Sequence, residues 1–266
     1  MNLVLSRRPQ HNFVVQKLST STRLVHPRWI TEPASGLVLG VVLSRSCFQW
    51  ITTTLSLACT RLPHIDIHMT KILLASASET RLSMLGAAGL EVTPHPARVD
   101  ESALREALAA EGATPRDISD ALAEAKAQKI ASRYPDAMVL GADQVLDQDG
   151  QALGKAADPD ALVAQLRNMR EKSHRLHSAA VLYQAASPVW RHISTAQLWV
   201  RPLSDAWIDA YVARNWDSIR SCAGGYRIEG EGVRLFSRIE GDYFTILGLP
   251  LLPLLDFLIQ RKDLPS

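Results

Sequence analysis

The sequence predicts a mixed α/β fold, with two lobes flanking a cleft. Three observations carry this. From residue 69 onward, short apolar runs alternate with stretches of helical spacing. The runs Ile72–Leu74 and Ala137–Leu146 are apolar enough for interior strands, while His174–Tyr183 and Trp190–Val200 alternate as antiparallel strands do. Small residues gather beside these runs, at Ser76-Ala77-Ser78, Gly141-Ala142, Gly154 and Gly224-Gly225, where a backbone can come close to a ligand.

The chain has 266 residues, enough for one large domain or two small ones, and its 47% apolar content supplies a core. A formal charge of +2 argues against a nucleic-acid surface. That charge is uneven. Residues 1–68 hold seven of the 29 basic side chains and only Glu32 and Asp66 of the 27 acidic ones, which leaves 22 basic against 25 acidic over 69–266. Cys47, Cys59 and Cys222 lack metal-ligand spacing, which points to reduced thiols and a cytoplasmic protein, with Cys222 a packing residue.

Residues 1–68 show weak periodicity, scattered Pro, Ser and Thr, and little acid. The apolar run at 36–43 is far shorter than the roughly 20 residues a membrane span needs, and no membrane partner is expected. It also lies too far from the start for a signal peptide. Basic, Ser-rich and acid-poor composition also fits a transit peptide. Met69 directly precedes the first convincing strand, and this favours a non-native or disordered extension over 1–68 and a folded domain over 69–266.

The first strand, Ile72–Leu74, runs into a serine turn and then a helix with Leu82, Met84, Leu85 and Ala88 on one face, stopped at Gly89. Ser76 and Ser78 at a helix start are either ordinary caps or a phosphate site, to which Arg81 would add a charged fork. Residues 91–98, with prolines at 94 and 96, read as an edge strand. Asp100 and Glu101 follow as two carboxylates, either solvated or metal-binding. Thr114-Pro115 opens a helix to about Arg133 with Ile118, Leu122, Ala125 and Ile130 inward. Lys126 lies beside that stripe, where it either snorkels or points into a cleft.

In the strand 137–146, Asp143 interrupts an apolar run, a costly placement unless the carboxylate is paired, metal-bound or at a strand end. It is the leading functional candidate. Asp149-Gly150 closes a hairpin onto 151–153, and Gly154-Lys155 sets a lysine just past the returning strand. Asp158-Pro159 starts a helix to about Met169, and 205–214 is amphipathic with Ile208, Tyr211 and Val212 inward. Cys222–Tyr226 is a glycine-rich loop. Val233–Ile239 and Tyr243–Leu247 read as a last strand pair about Glu240-Gly241-Asp242, and Leu249–Ile259 as a closing helix.

In order and spacing, the segments ILLASAS with Arg81, Val99-Asp100-Glu101, Ala123–Ala127, Gly141-Ala142-Asp143-Gln144-Val145, Gly154-Lys155, Ala223–Tyr226, Gly241-Asp242-Tyr243 and Gly248-Leu249-Pro250 resemble the Maf (septum-formation-inhibitor-like) nucleotide pyrophosphatases over about 69–262. The resemblance implies a two-lobed fold akin to inosine triphosphatases, with an elongated mixed sheet and a central cleft. It implies hydrolysis of a nucleoside triphosphate between its α and β phosphates, Mg²⁺ or Mn²⁺ as cofactor, and a homodimer. In that reading Asp143 activates water, Ser76, Ser78, Arg81, Lys126 and Lys155 bind phosphates, and Glu101 with Asp143 ligates the metal. Gln144 and Glu229 match the branch resembling 7-methyl-GTP pyrophosphatases. The third specificity position of that branch, a Trp, is Thr80 here. Further departures are Glu79-Thr80 for the usual Pro-Arg, which removes a phosphate-side cation, Ala156 for the usual Pro, and Glu171–Ser173 for the usual Ser-Gly before a histidine. Two other readings stand beside it: a nucleotide-binding regulator of cell division with little turnover, and a purine triphosphatase of the inosine-triphosphate type.

Overall fold

A computed structural model describes residues 4–7, 13–16 and 71–265. In the first unit, Met1–His64, strands β1 (Val4–Arg7) and β2 (Phe13–Gln16) pair antiparallel. The expectations for the rest of 1–68, including the apolar run, Cys47 and Cys59, lie outside the described residues. No helix among the described residues is long and apolar enough to cross a membrane.

The second unit is built on a seven-stranded mixed sheet in the order β4-β3-β5-β7-β8-β9, with β6 paired to β5. Its strands are β3 (Ile72–Leu74), β4 (Val92–Pro94), β5 (Met138–Gln148), β6 (Gln151–Leu153), β7 (Ser173–Gln184), β8 (Ser187–Val200) and β9 (Phe236–Glu240). β3 runs parallel to β4 and β5, and the remaining pairings are antiparallel. β4 is the expected edge strand, shortened to its apolar start.

One register feature makes the cleft. β3 pairs residues 138–140 of β5, and β6 pairs residues 146–148. The opposite edge of β5 is taken by β7 throughout 139–147. Gly141–Val145 therefore lack a strand partner on one edge, and the sheet opens there.

Alternation along β5 sends its side chains to two faces. Toward one face, Val139 packs with Ala123 and Ala127, and Val145 with Ile118 and Leu122, all from helix α3 (Pro115–Ala131). Toward the other face there are two separate clusters. Leu140 and Ala142 meet α1 (Glu79–Ala87) and α7 (Leu251–Gln260), whereas Leu146 meets α4 (Pro159–Met169) and α5 (Asp205–Ile219). Each fully buried leucine in these clusters contributes about 2 kcal/mol. The two clusters are the two lobes the sequence predicts.

The helix starts are chemically specified. Thr114 caps α3 and Asp117 returns a bond to the Thr114 backbone, with Pro115 in the first turn. Asp158 with Pro159 opens α4, and Ser204 caps α5. Along α3 the buried face is Ile118, Leu122, Ala123, Lys126, Ala127 and Ile130, so Lys126 lies within the apolar stripe and Ala125 is only half-buried. Gly141 sets how close the helix comes: a Cβ there would sit 2.1 Å from the Ala123 carbonyl oxygen, so only glycine lets α3 lie this close to β5.

One helix was not foreseen and one expectation needs correction. The carboxylate pair at 100–101 opens α2 (Glu101–Ala110), with the Asp100 carboxylate capping it through the Ala103 amide at 3.1 Å. The expected last strand pair does not form. Residues 231–235 make a 3-10 turn, β9 takes β8 as its partner, and Tyr243–Ile246 form a short helix, α6. Asp242 decides this by accepting from the Thr245 amide at 2.9 Å and from its hydroxyl, which starts a helix where the apolar run suggested a strand.

Candidate active site

The open stretch of β5 faces a cavity of about 1010 Å³. All ten residues singled out from the sequence line it: Ser76, Ser78, Thr80, Arg81, Glu101, Lys126, Asp143, Gln144, Lys155 and Glu229.

The serine turn is a braced cradle. Ser76 Oγ accepts from the Ser78 amide and from Arg81 Nη1, both at 3.2 Å, while Ser78 Oγ caps α1 through the Arg81 amide at 3.3 Å. Arg81 is buried and its Nε donates to the Gly248 carbonyl at 2.7 Å. Gly248 has φ +99, a conformation that favours glycine. Burial lowers the guanidinium pKa, while the charges of Asp143 and Glu101 work the other way. Ser78 thus caps α1 and Ser76 braces the turn, while both line the cavity, so the two sequence readings of them are compatible.

At the centre, Lys126 Nζ lies 2.7 Å from both Asp143 Oδ1 and Glu101 Oε1. Lysine and Asp143 are buried, whereas the Glu101 side chain is 38% exposed at the rim. Burial acts against the Glu101 charge, yet the Lys126 bond and the charges of Lys126, Lys155 and Arg105 outweigh it and hold its pKa below the usual value. Asp143 Oδ2 is buried and has no hydrogen-bond partner among the described residues. A buried carboxyl oxygen in that state is open to a proton donor or a cation.

Gln144 points to the opposite face. Its Nε2 donates to Ser178 Oγ at 3.1 Å and to the Thr245 and Ile246 carbonyls at 3.0 Å. Its amide nitrogen therefore serves the fold, anchoring α6, and only Oε1 remains for a ligand. Glu229 is tied to Arg227 Nε at 2.9 Å. The glycine loop behind them needs both glycines: a Cβ on Gly224 would stand 2.2 Å from the Tyr226 ring, and one on Gly225 would stand 2.1 Å from Leu162. Cys222, expected to be a packing residue, is half-buried and lines the cavity; its thiol is pushed up by burial and so stays poorly nucleophilic.

Sequence reasoning missed four lining cations, Arg98, Arg105, Arg220 and Arg227. A signal for Arg105 existed, since it lies four residues after Glu101 and so shares its face once 101–110 is helical.

Below the glycine loop, His174 Nε2 lies 2.7 Å from the Tyr226 hydroxyl, and both residues are buried. Burial lowers the imidazole pKa from 6.5 to about 4 and raises that of Tyr226, so a neutral ring and a neutral phenol share this hydrogen bond. The unfolded chain takes up this proton near pH 6.5 and the folded chain only near 4, so stability is full above 6.5 and falls as pH drops between these values. Between pH 7.5 and 5, the full chain is expected to lose about 2 kcal/mol more unfolding free energy than its His174→Gln variant. Urea titrations at the two pH values check this, and equal losses would contradict a neutral buried imidazole.

Residues 71–261 match the family described as Maf-like protein. A protein of Roseobacter denitrificans named nucleoside triphosphate pyrophosphatase is 54% identical over 194 residues, covering 73% of this chain and 98% of its own length. One of Sphingopyxis alaskensis with the same name is 54% identical over 188 residues, covering 70% and 95%. A protein of Rhizobium meliloti named 7-methyl-GTP pyrophosphatase is 47% identical over 184 residues, covering 69% and 92%. With this match spanning the sheet and every lining residue named above, the chain belongs to the Maf-like protein family.

Proposed function

We propose that this chain is a nucleoside triphosphate pyrophosphatase, a hydrolase that adds water across the α–β anhydride and yields a nucleoside monophosphate and pyrophosphate. The observation that carries the reading is Asp143: a buried carboxylate with one oxygen on Lys126 and the other unpartnered, at the open edge of β5. Its free oxygen takes a proton from the attacking water. Ser76, Ser78, Arg81, Lys126 and Lys155 hold phosphate oxygens by charge-assisted hydrogen bonds. The names of the relatives favour turnover over a purely regulatory binder.

The donor set also fits a divalent cation. Two carboxylates, Glu101 and Asp143, converge on the Lys126 ammonium at 2.7 Å, a position where positive charge is already favoured, and Asp143 Oδ2 lacks a partner. Among the described residues no group of three His, Cys, Asp or Glu side chains is placed to hold a metal. Phosphate oxygens and water would complete the shell of Mg²⁺ or Mn²⁺, as is usual for Mg²⁺ with nucleotides. Such an ion neutralises phosphate charge and orients water. Lys126, released from one carboxylate, would then face the phosphates.

For the base, Glu229 in the cavity supports 7-methyl-GTP, because a carboxylate suits guanine donors and a positively charged ring, and one relative carries that name. The catalytic domain is residues 69–266, in keeping with a match that starts at residue 71 and with relatives covered over 92–98% of their own lengths. The test is pyrophosphate release with Mg²⁺ from UTP, dTTP, CTP, GTP, 7-methyl-GTP and ITP, by the full chain and by a chain beginning at Met69. The expected result is 7-methyl-GTP as the best substrate and equal rates for the two chains. A pyrimidine lead would reject the base assignment, an ITP lead would favour the inosine-triphosphatase reading, and binding without release would reject the enzyme.

A further inference from the structure

Arg105 is a cavity cation to which the reading above gives no role. It stands on α2 one helical turn after Glu101, so both side chains share one face. Its charge acts on the Glu101 carboxylate together with those of Lys126 and Lys155. Gly154 makes room for it, since a Cβ there would lie 3.2 Å from Arg105 Nη1. Arg105 Nε is enclosed and has no hydrogen-bond partner among the described residues. An enclosed N–H without an acceptor is unfavourable, and a cavity ligand with anionic oxygens would supply one.

Position suggests which oxygens. The Arg227–Glu229 pair, which feels the charge of Glu79 from α1, stands on the side assigned to the base. From Asp143 the charged row passes through Lys126 to Glu101 and then one turn further to Arg105. Thr80 stands where the resemblance called for a phosphate-side cation, and Arg105 is a lining cation able to supply that charge. We propose that Arg105 grips the part of the triphosphate that leaves as pyrophosphate, an assignment that rests on the pyrophosphatase reading.

The test is calorimetric binding of inorganic pyrophosphate with Mg²⁺, and separately of GMP, to the full chain and to its Arg105→Gln and Arg105→Lys variants. Helix α2 buries no residue, so these substitutions leave the core intact. Arg105→Gln is expected to weaken pyrophosphate binding about tenfold and leave GMP binding unchanged, with Arg105→Lys between the two. Equal weakening of both ligands, or of neither, would overturn the assignment. If triphosphates are hydrolysed but pyrophosphate binds all three proteins alike, Arg105 has no such role and the enzyme reading stands. If nothing is hydrolysed yet pyrophosphate binding depends on Arg105, the anion site stands and the enzyme reading falls. If pyrophosphate does not bind the unaltered chain, the assignment fails outright.

Discussion

Asp143→Asn is expected to lower triphosphate turnover about a thousandfold while the protein stays folded. Asparagine has nearly the shape of aspartate and can still present Oδ1 to Lys126, which lies 2.7 Å away. What it cannot do is accept a proton from water at neutral pH, because its other atom is an amide nitrogen. It also brings less negative charge to a centre where Glu101 faces the same lysine. Nucleotide binding should therefore persist or tighten while pyrophosphate release collapses. Release assays with matched thermal melts check this; a variant within threefold of the parent would remove Asp143 from the chemistry.

The second large effect is structural and reaches the site through packing. Gly141→Ala is expected to destabilise the protein by about 3 kcal/mol. The added Cβ would sit 2.1 Å from the Ala123 carbonyl oxygen and 2.7 Å from both Ala127 N and Ala127 Cβ. These are backbone atoms and a short side chain, so none can swing away. Relief requires α3 to lift from β5, and that separates Lys126 from Asp143. Urea unfolding should shift to lower concentration, and activity measured well below the melting temperature should fall with it. An unshifted midpoint would mean that α3 and β5 are not in such close contact.

Much of the frame was legible because its causes are local. Strand identity followed from apolar runs and alternation, helix starts from Thr114-Pro115, Asp158-Pro159 and the serine turn, and the β5–β6 hairpin from Asp149-Gly150, whose φ values are both positive. Asp143 stood out because a carboxylate in an apolar run is costly wherever that run is buried. The failures had causes distant in sequence. Tyr243–Ile246 is apolar enough for a strand, but Asp242 caps it and Gln144, about a hundred residues earlier, donates to its carbonyls. No local pattern shows that a strand partner is already taken elsewhere.

By itself, then, the sequence determined the element types, the charged and small residues available, and the family to which their order belongs. It did not determine which of them meet. The vacancy at 141–145 exists only because β3 and β6 pair with opposite ends of one long strand. Lys126 meets Asp143 where Gly141 lets α3 approach β5, and the Gln144 amide nitrogen anchors α6 because the Thr245 and Ile246 carbonyls lie within its reach. Helix and strand preference depend on neighbours a few residues apart, whereas a site is set by contacts whose partners are brought together by the packing of the whole sheet.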